Sequence, residues 1–147
     1  MNIEDYINQR VDDQILWYDK KSTRCQKSYK TLQIIEIIAA ALIPLLAGYS
    51  NVTAIAIIVG ILGALIAVIE SISKLYKFHE NWIEYRTTCE LLRYEKNLYL
   101  TKTSPYNTEE ETKENLFVKN IEAIISSENN KWKNIFSSVD KTKKSNQ

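Results

Sequence analysis

The chain has 147 residues, the size of a single domain, and its 19 basic and 18 acidic residues leave a net charge of only +1. This balance gives no case for a nucleic-acid binder, and one histidine with two separated cysteines supplies too few ligands for a metal site. Three glycines and one histidine provide neither a phosphate-binding glycine loop nor a catalytic triad. We therefore expect no enzymatic activity and no cofactor.

The first segment, residues 1–30, is predicted to be a cytoplasmic helix. Its acidic residues rule out a secretory signal peptide, whose first residues are basic and then apolar. Its apolar residues recur at helical spacing and predict one buried face; they are Ile7, Val11, Ile15 and Tyr18. We expect this helix to run without a break into the apolar segment that follows.

The apolar segment, residues 37–69, carries no charge. A bilayer core takes about 20 helical residues, so this run is too long for one span and short for two. The cluster Gly48, Tyr49, Ser50 and Asn51 in its middle is typical of a turn. Including the apolar flanks, the sequence predicts a transmembrane hairpin over residues 31–73, with spans 31–49 and 51–73 and a turn near 48–51.

Charges on either side of the hairpin indicate its orientation. The tip of the hairpin carries no basic residue. Five basic residues precede the first span, namely Lys20, Lys21, Arg24, Lys27 and Lys30, and two follow the second span, namely Lys74 and Lys77. By the positive-inside rule both termini are expected in the cytoplasm.

Three residues at or within the spans are candidates for a pore. Glu36 and Glu70 bound the apolar run, and Pro44, inside the first span, is expected to kink it. Each carboxylate either reaches the interface and pairs with a lysine, or lies unpaired in the membrane. For Glu70, Lys74 four residues on favours the ion pair. For Glu36, pairing with Lys30 and an unpaired position facing a water-filled lumen, which would favour cations, both remain open.

Small residues recur every four positions in the second span. They form two neighbouring sets, Ala56, Gly60 and Ala64, and Gly63, Ala67 and Ser71. Such spacing lets helix backbones approach closely. The small residues could pack the hairpin against itself, but because each chain offers only one partner span, we favour contacts between subunits.

Residues 74–139 are predicted to form cytoplasmic helices, followed by a disordered basic tail over residues 140–147. After the second span, apolar residues alternate steps of three and four, the spacing of a heptad seam; they are Leu75, Phe78, Trp82, Tyr85, Cys89 and Leu92. With no glycine or proline before Pro105, the second span is expected to continue as one rigid helix to near Leu100. The seam, with Arg86 paired to Glu90, is a candidate for cytoplasmic assembly, although such a stripe is more often plain core. The expected fold is an all-α membrane protein, a transmembrane hairpin whose long helices extend into a cytoplasmic helical bundle.

The order of these motifs resembles one family. The chain carries Trp17-Tyr18-Asp19-Lys20-Lys21-Ser22 before the spans, and scattered residues after them: Trp82, Tyr85-Arg86, Cys89-Glu90, Leu92, Glu95, Pro105-Tyr106, Phe117, Ile124-Ile125, Glu128 and Trp132. Over nearly its whole length it resembles the SLATT group, bacterial two-transmembrane effector domains that include a branch of unknown function. The resemblance implies a pore-forming effector of the bacterial inner membrane, acting in an antiviral or conflict system beside a nucleotide-signalling partner protein.

Two functions of different classes fit these features. The first is a homo-oligomeric membrane pore gated through its cytoplasmic helices, since a lone hairpin cannot enclose a channel. The alternative is a non-conducting membrane anchor that holds a soluble signalling partner. A soluble bundle with the hairpin buried inside is disfavoured, because so short a chain has little other apolar surface to cover it.

Overall fold

The computed structural model describes residues 2–49 and 51–144, with residues 128–144 described as helix only. This part of the chain is all-helical, without strands, as predicted. Its elements are α1 (Ile3–Tyr6), a π-helical segment (Ile7–Val11), α2 (Asp12–Ala47), α3 (Thr53–Tyr76), α4 (Phe78–Leu100) and α5 (Glu110–Lys144).

The first helix is continuous from Ile3 to Ala47, so the expected unbroken run from the N-terminal segment into the apolar segment is confirmed. It contains one irregularity, the π-helical segment, where Ile7 and Val11 are buried. Pro44 lies in the last turn of α2, where it has no N–H to donate to the carbonyl of residue 40.

The interval between α2 and α3 covers the predicted turn. The Tyr49 N–H donates to the carbonyl of Leu46 at 2.9 Å, and Val52 is extended just before α3 begins. Ser50, which belongs to the predicted turn, lies outside the described residues.

The expected single helix from the second span to Leu100 is interrupted. Lys77 has φ 48° and ψ 41°, in the left-handed region, and its N–H donates to the Ser73 carbonyl at 3.0 Å. Helix α4 then starts anew at Phe78. The absence of glycine and proline did not guarantee continuity, because a lysine can occupy the left-handed conformation at a cost of about 1–2 kcal/mol.

The last helix reaches Lys144. Residues 140–144 of the predicted disordered tail are therefore helical, and residues 145–147 lie outside the described part. No glycine or proline interrupts this stretch of the sequence.

The chain divides into two compact units. We call Met1–Asp19 with Tyr85–Gln147 the polar unit, and Lys20–Glu84 the apolar unit. The polar unit has a closed core of apolar side chains, centred on the fully buried Phe117, which contacts the rings of Tyr6, Tyr99 and Tyr106. In the apolar unit, Ala39 and Ile69 are the buried apolar side chains among those described, although this unit is the more hydrophobic.

Candidate functional site

Helix α3 has three faces that differ in burial and residue size. One face is half-buried to buried and consists of large apolar residues at steps of three and four; it comprises Ile55, Val59, Leu62, Ile66 and Ile69. This spacing is that of a helix packed along one stripe. The remaining two thirds of the helix surface is exposed.

The small residues identified in the sequence lie together on an exposed face. At about 100° per residue, the two predicted sets merge into one surface; it comprises Ala56, Gly60, Gly63, Ala64, Ala67 and Ser71, and we call it the small-residue face. A Cβ placed on Gly60 or Gly63 would meet no atom within 4 Å. These residues therefore do not pack the chain against itself, which removes one of the two interpretations of the spacing.

The third face of α3 is bulky and also exposed. Its residues are Ile57, Ile58, Ile61, Leu65 and Val68, which are 40–62% exposed. In the most apolar 18-residue stretch of each long helix only 6% of the residues are buried, whereas the core helix of a soluble protein would be mostly buried. By length and composition, these two helices could span a membrane.

Glu36 lies on the half-buried stripe of α2, together with Ala39, Ile43 and Leu46. Its Oε2 accepts a hydrogen bond from Gln33 Nε2 at 2.8 Å. Within the described part of the chain, no basic side chain pairs with Glu36, so the expected alternative of a Lys30 ion pair is not formed. Pro44 is on the exposed side of the helix.

Glu70 differs from Glu36 in having a cationic partner. Lys74 Nζ lies 3.0 Å from Glu70 Oε1, which is the ion pair expected from their spacing. The side chains of Lys74 and Glu70 are 75% and 44% exposed, so the pair adds little stability. Its effect is to neutralise the charge of Glu70 locally.

The predicted heptad seam is only partly a packed stripe. In the polar unit, Cys89 and Leu92 are fully buried and Tyr85 contacts the Trp17 ring, but at the start of the seam Leu75 is 78% exposed. In the apolar unit, Phe78 and Trp82 are half-buried. The seam loses its register at Lys77, where the left-handed residue rotates α3 relative to α4.

Arg86 connects two acids at the surface of the polar unit. Its Nη2 lies 2.6 Å from Glu90 Oε1, the predicted pair, and its Nη1 donates to Asp19 Oδ1 at 3.3 Å. Arg93 contacts the same two carboxylates, at 3.5 Å to Asp19 and 3.1 Å to Glu90. Burial raises the pKa of the neighbouring Cys89 thiol, so this cysteine is held in its unreactive protonated form.

Several interactions could not be anticipated from sequence spacing. Arg10 binds Glu122, and Tyr106 donates a hydrogen bond to Glu95. The first of these pairs is separated by more than a hundred residues, and neither follows a helical spacing. Sequence reasoning also missed the left-handed conformation of Lys77, which separates α3 from α4. The side chains of Glu128 and Trp132, which belong to the family resemblance, lie outside the described residues.

Comparison with known proteins identifies one family. The family model described as "Protein of unknown function (DUF4231)" matches residues 13–114. No curated protein and no solved structure is significantly similar to the chain.

Proposed function

The chain belongs to the DUF4231 family, whose function is unknown, and we propose that it is a transmembrane hairpin that assembles into a homo-oligomeric pore. In this proposal α3 and the second half of α2 cross the bilayer. The basic residues that flank them, against an uncharged tip, favour both termini in the cytoplasm. The tightly spaced spans leave no more than a short turn on the far side.

The observation that carries the proposal is the exposed small-residue face of α3. Lipid tails are as apolar as leucine, so helices in a bilayer associate through close packing and not through hydrophobicity. Gly60 and Gly63 leave open space above the α3 backbone, which a helix of a neighbouring subunit would fill. The bulky face then remains for lipid. Such division of one helix into a small and a bulky exposed face favours an oligomer over a lone hairpin.

A pore also needs a polar path, and Glu36 is the residue that we propose for it. It lies in the first apolar helix, is half-buried, and has a neutral partner, Gln33, so its charge is not cancelled. A ring of such carboxylates, one from each subunit, would favour cations over anions. Glu70 contributes less, because Lys74 offsets its charge.

The biological role proposed for this pore follows from the resemblance to the SLATT group. We infer an effector of the bacterial inner membrane that acts in an antiviral or conflict system. With no glycine-rich phosphate loop in the sequence, the trigger would come from a nucleotide-signalling partner protein, through the helices outside the membrane.

The test is efflux from liposomes. Purified protein is reconstituted at increasing protein-to-lipid ratios into vesicles loaded with potassium, and crosslinking in the same vesicles measures the oligomeric state. The proposal predicts efflux that rises more steeply than linearly with protein density, because several chains form one pore. Oligomers without efflux, even after addition of the cell extract of the source organism, would contradict the pore and favour the alternative, a non-conducting membrane anchor that holds a soluble signalling partner.

A further inference from the structure

A cavity of about 370 Å³ lies in the apolar unit, where α3 ends and α4 begins. The left-handed backbone of Lys77 separates the last turn of α3 from the first turn of α4 at this point. One wall is aromatic, since the rings of Tyr29 and His79 both line the cavity, with their centroids 4.7 Å apart. Ligand pockets range from roughly 300 to 1,000 Å³, so this cavity suits a small polar group.

The charges in the cavity come in opposite pairs. Lys74 Nζ lies 3.0 Å from Glu70 Oε1, and Lys77 Nζ lies 3.6 Å from Glu80 Oε2. All four residues line the cavity. A purely anionic ligand would be repelled by two carboxylates, and a purely cationic ligand by two ammonium groups. A ligand that carries one charge of each sign complements both pairs at once.

Ser73 adds an unused hydrogen-bond group. Its Oγ is buried and, within the described part of the chain, has no hydrogen-bond partner, although the residue lines the cavity. A helical serine commonly donates to the carbonyl four residues earlier, as Ser71 does to Ala67 at 2.7 Å. A buried hydroxyl without a partner is costly. The Ser73 Oγ is closed to solvent in this structure, so it would reach an acceptor bound in the cavity after a rotation of its side chain.

The position of the cavity along the chain indicates where its ligand comes from. Glu70 is the first charged residue after the uncharged run 37–69, so the cavity lies at the end of the proposed second span. Phospholipid headgroups lie at this depth. Leu75 and Tyr76, which follow the lining residues Ser73 and Lys74, are 78% and 59% exposed, as side chains in contact with lipid would be.

We propose that this cavity binds the headgroup of an ethanolamine phospholipid. The phosphate lies against Lys74, Lys77 and the Ser73 hydroxyl, and the primary ammonium group donates to Glu70 and Glu80. A glycerol headgroup lacks the ammonium group, and a choline headgroup cannot donate hydrogen bonds to the carboxylates. The inference rests on the membrane insertion that is part of the proposed function, but it does not require conduction.

The first measurement compares headgroups. Full-length protein in detergent micelles is titrated with ethanolamine, glycerol and choline phospholipids of identical acyl chains, and native mass spectrometry counts the retained lipids. We expect half-saturation by the ethanolamine lipid at about tenfold lower concentration, because each competitor loses one charge-assisted contact. Equal retention of the three lipids would overturn the assignment. If glycerophosphoethanolamine, which has no acyl chains, binds as tightly as the ethanolamine phospholipid, the ligand of the cavity comes from solution, and the assignment to a lipid is refuted.

The second measurement uses matched glycine variants. Lys77 and Lys102 both have positive φ values, 48° and 53°, so glycine suits either backbone, but only Lys77 lines the cavity. Lys77→Gly should weaken retention of the ethanolamine lipid about tenfold, whereas Lys102→Gly leaves it unchanged. Ser73→Ala should weaken it too, and Ser71→Ala should not. Equal effects within either pair would contradict the cavity as the site.

The two proposals fail separately. Selective lipid retention by a protein that supports no efflux contradicts the pore alone. Efflux by a protein without headgroup preference contradicts the lipid site alone.

Discussion

Arg10 holds Glu122 through two parallel hydrogen bonds, from Nε to Oε1 and from Nη2 to Oε2, each 3.1 Å long. The Tyr6 hydroxyl donates to Oε1 of the same carboxylate at 3.0 Å. Planar guanidinium and carboxylate groups match in this arrangement, which is stronger than a single contact between ions. The N-terminal helical segment is thereby attached to α5 within the polar unit, and the Arg10 contact lowers the pKa of Glu122 below its usual value of 4.5.

Glu122→Gln is expected to lower the free energy of unfolding by about 1 kcal/mol at pH 7, because the paired side chains are more than a third exposed. A carboxyl group with a lowered pKa binds fewer protons in the folded state than in the unfolded state. Its stabilisation is therefore complete above pH 4.5 and is lost as the pH falls below that value. Thermal unfolding followed by circular dichroism should show the gap between wild type and variant narrowing in acid. Glu4→Gln, at an exposed carboxylate, serves as the control, and an equal loss there would contradict the prediction.

Tyr106 is fully buried, and its hydroxyl donates to Glu95 and accepts from Asn120 Nδ2 at 2.9 Å. Tyr106→Phe removes both bonds and leaves two polar groups without this partner, so we expect a loss of about 1–3 kcal/mol in unfolding free energy. Tyr94→Phe makes the same chemical change at a side chain that is 59% exposed, and should change stability by less than about 0.5 kcal/mol. Similar losses in the two variants would show that the buried network is not stabilising.

The same tyrosine predicts a loss of stability in alkali. Burial and the Glu95 hydrogen bond raise the pKa of Tyr106 from 10.0 to about 12. Between these values the folded state keeps a proton that the unfolded state has released, so stability falls as the pH rises above 10. Denaturant unfolding at increasing pH should show this decline in wild type and a shallower one in Tyr106→Phe. Identical slopes would contradict it.

Features that depend on residues three or four apart could be predicted from the sequence, and those that join distant segments could not. The Glu70–Lys74 and Arg86–Glu90 pairs follow from helical spacing alone. The small residues of α3 were recognised in the sequence as two neighbouring sets at intervals of four. To decide whether they face the chain itself or its surroundings, the burial of each residue was needed. The contact between Arg10 and Glu122 could not be predicted, because no spacing pattern in the sequence relates two residues so far apart.

The interruption at Lys77 shows why helix continuity is harder to predict than helix presence. Lysine has good helix propensity, and the left-handed conformation is disfavoured for it, so the sequence indicates the opposite of what is formed. We expect Lys77→Gly to stabilise the protein by up to about 1 kcal/mol, because glycine adopts this conformation without strain. Lys77→Ala should not stabilise it, since alanine keeps the Cβ and its strain. If both variants melt at the same temperature, the residue is not left-handed in solution.

The small-residue face predicts a size-dependent effect on assembly. Ala67→Leu adds a bulky side chain to this face and should lower the fraction of crosslinked oligomers and the potassium efflux together. Ala54→Leu makes the same substitution at an exposed position of α3 and should change neither, because at about 100° per residue Ala54 lies on the same side of the helix as Ile58, Ile61 and Leu65. Because both positions are exposed within the chain, neither variant creates a clash inside it. Equal loss in both variants would mean that α3 tolerates no added bulk anywhere and would refute the small-residue face as an interface.

Glu36 in α2 and Glu70 in α3 lie at the two ends of the uncharged run. Because their partners differ, variants of the two residues can be compared in a measurement of ion selectivity. Glu36 accepts from the neutral Gln33, whereas Glu70 is paired with Lys74. In the proposed pore, Glu36→Gln should shift the reversal potential under a potassium chloride gradient toward that of a non-selective channel, because it removes an uncompensated negative charge from each subunit. Glu70→Gln should produce a smaller shift, since it exchanges a neutralised pair for a single exposed lysine at the end of the span. Unchanged selectivity in Glu36→Gln would exclude this carboxylate from the conduction path, and a larger shift in Glu70→Gln would assign the selective ring to the other helix.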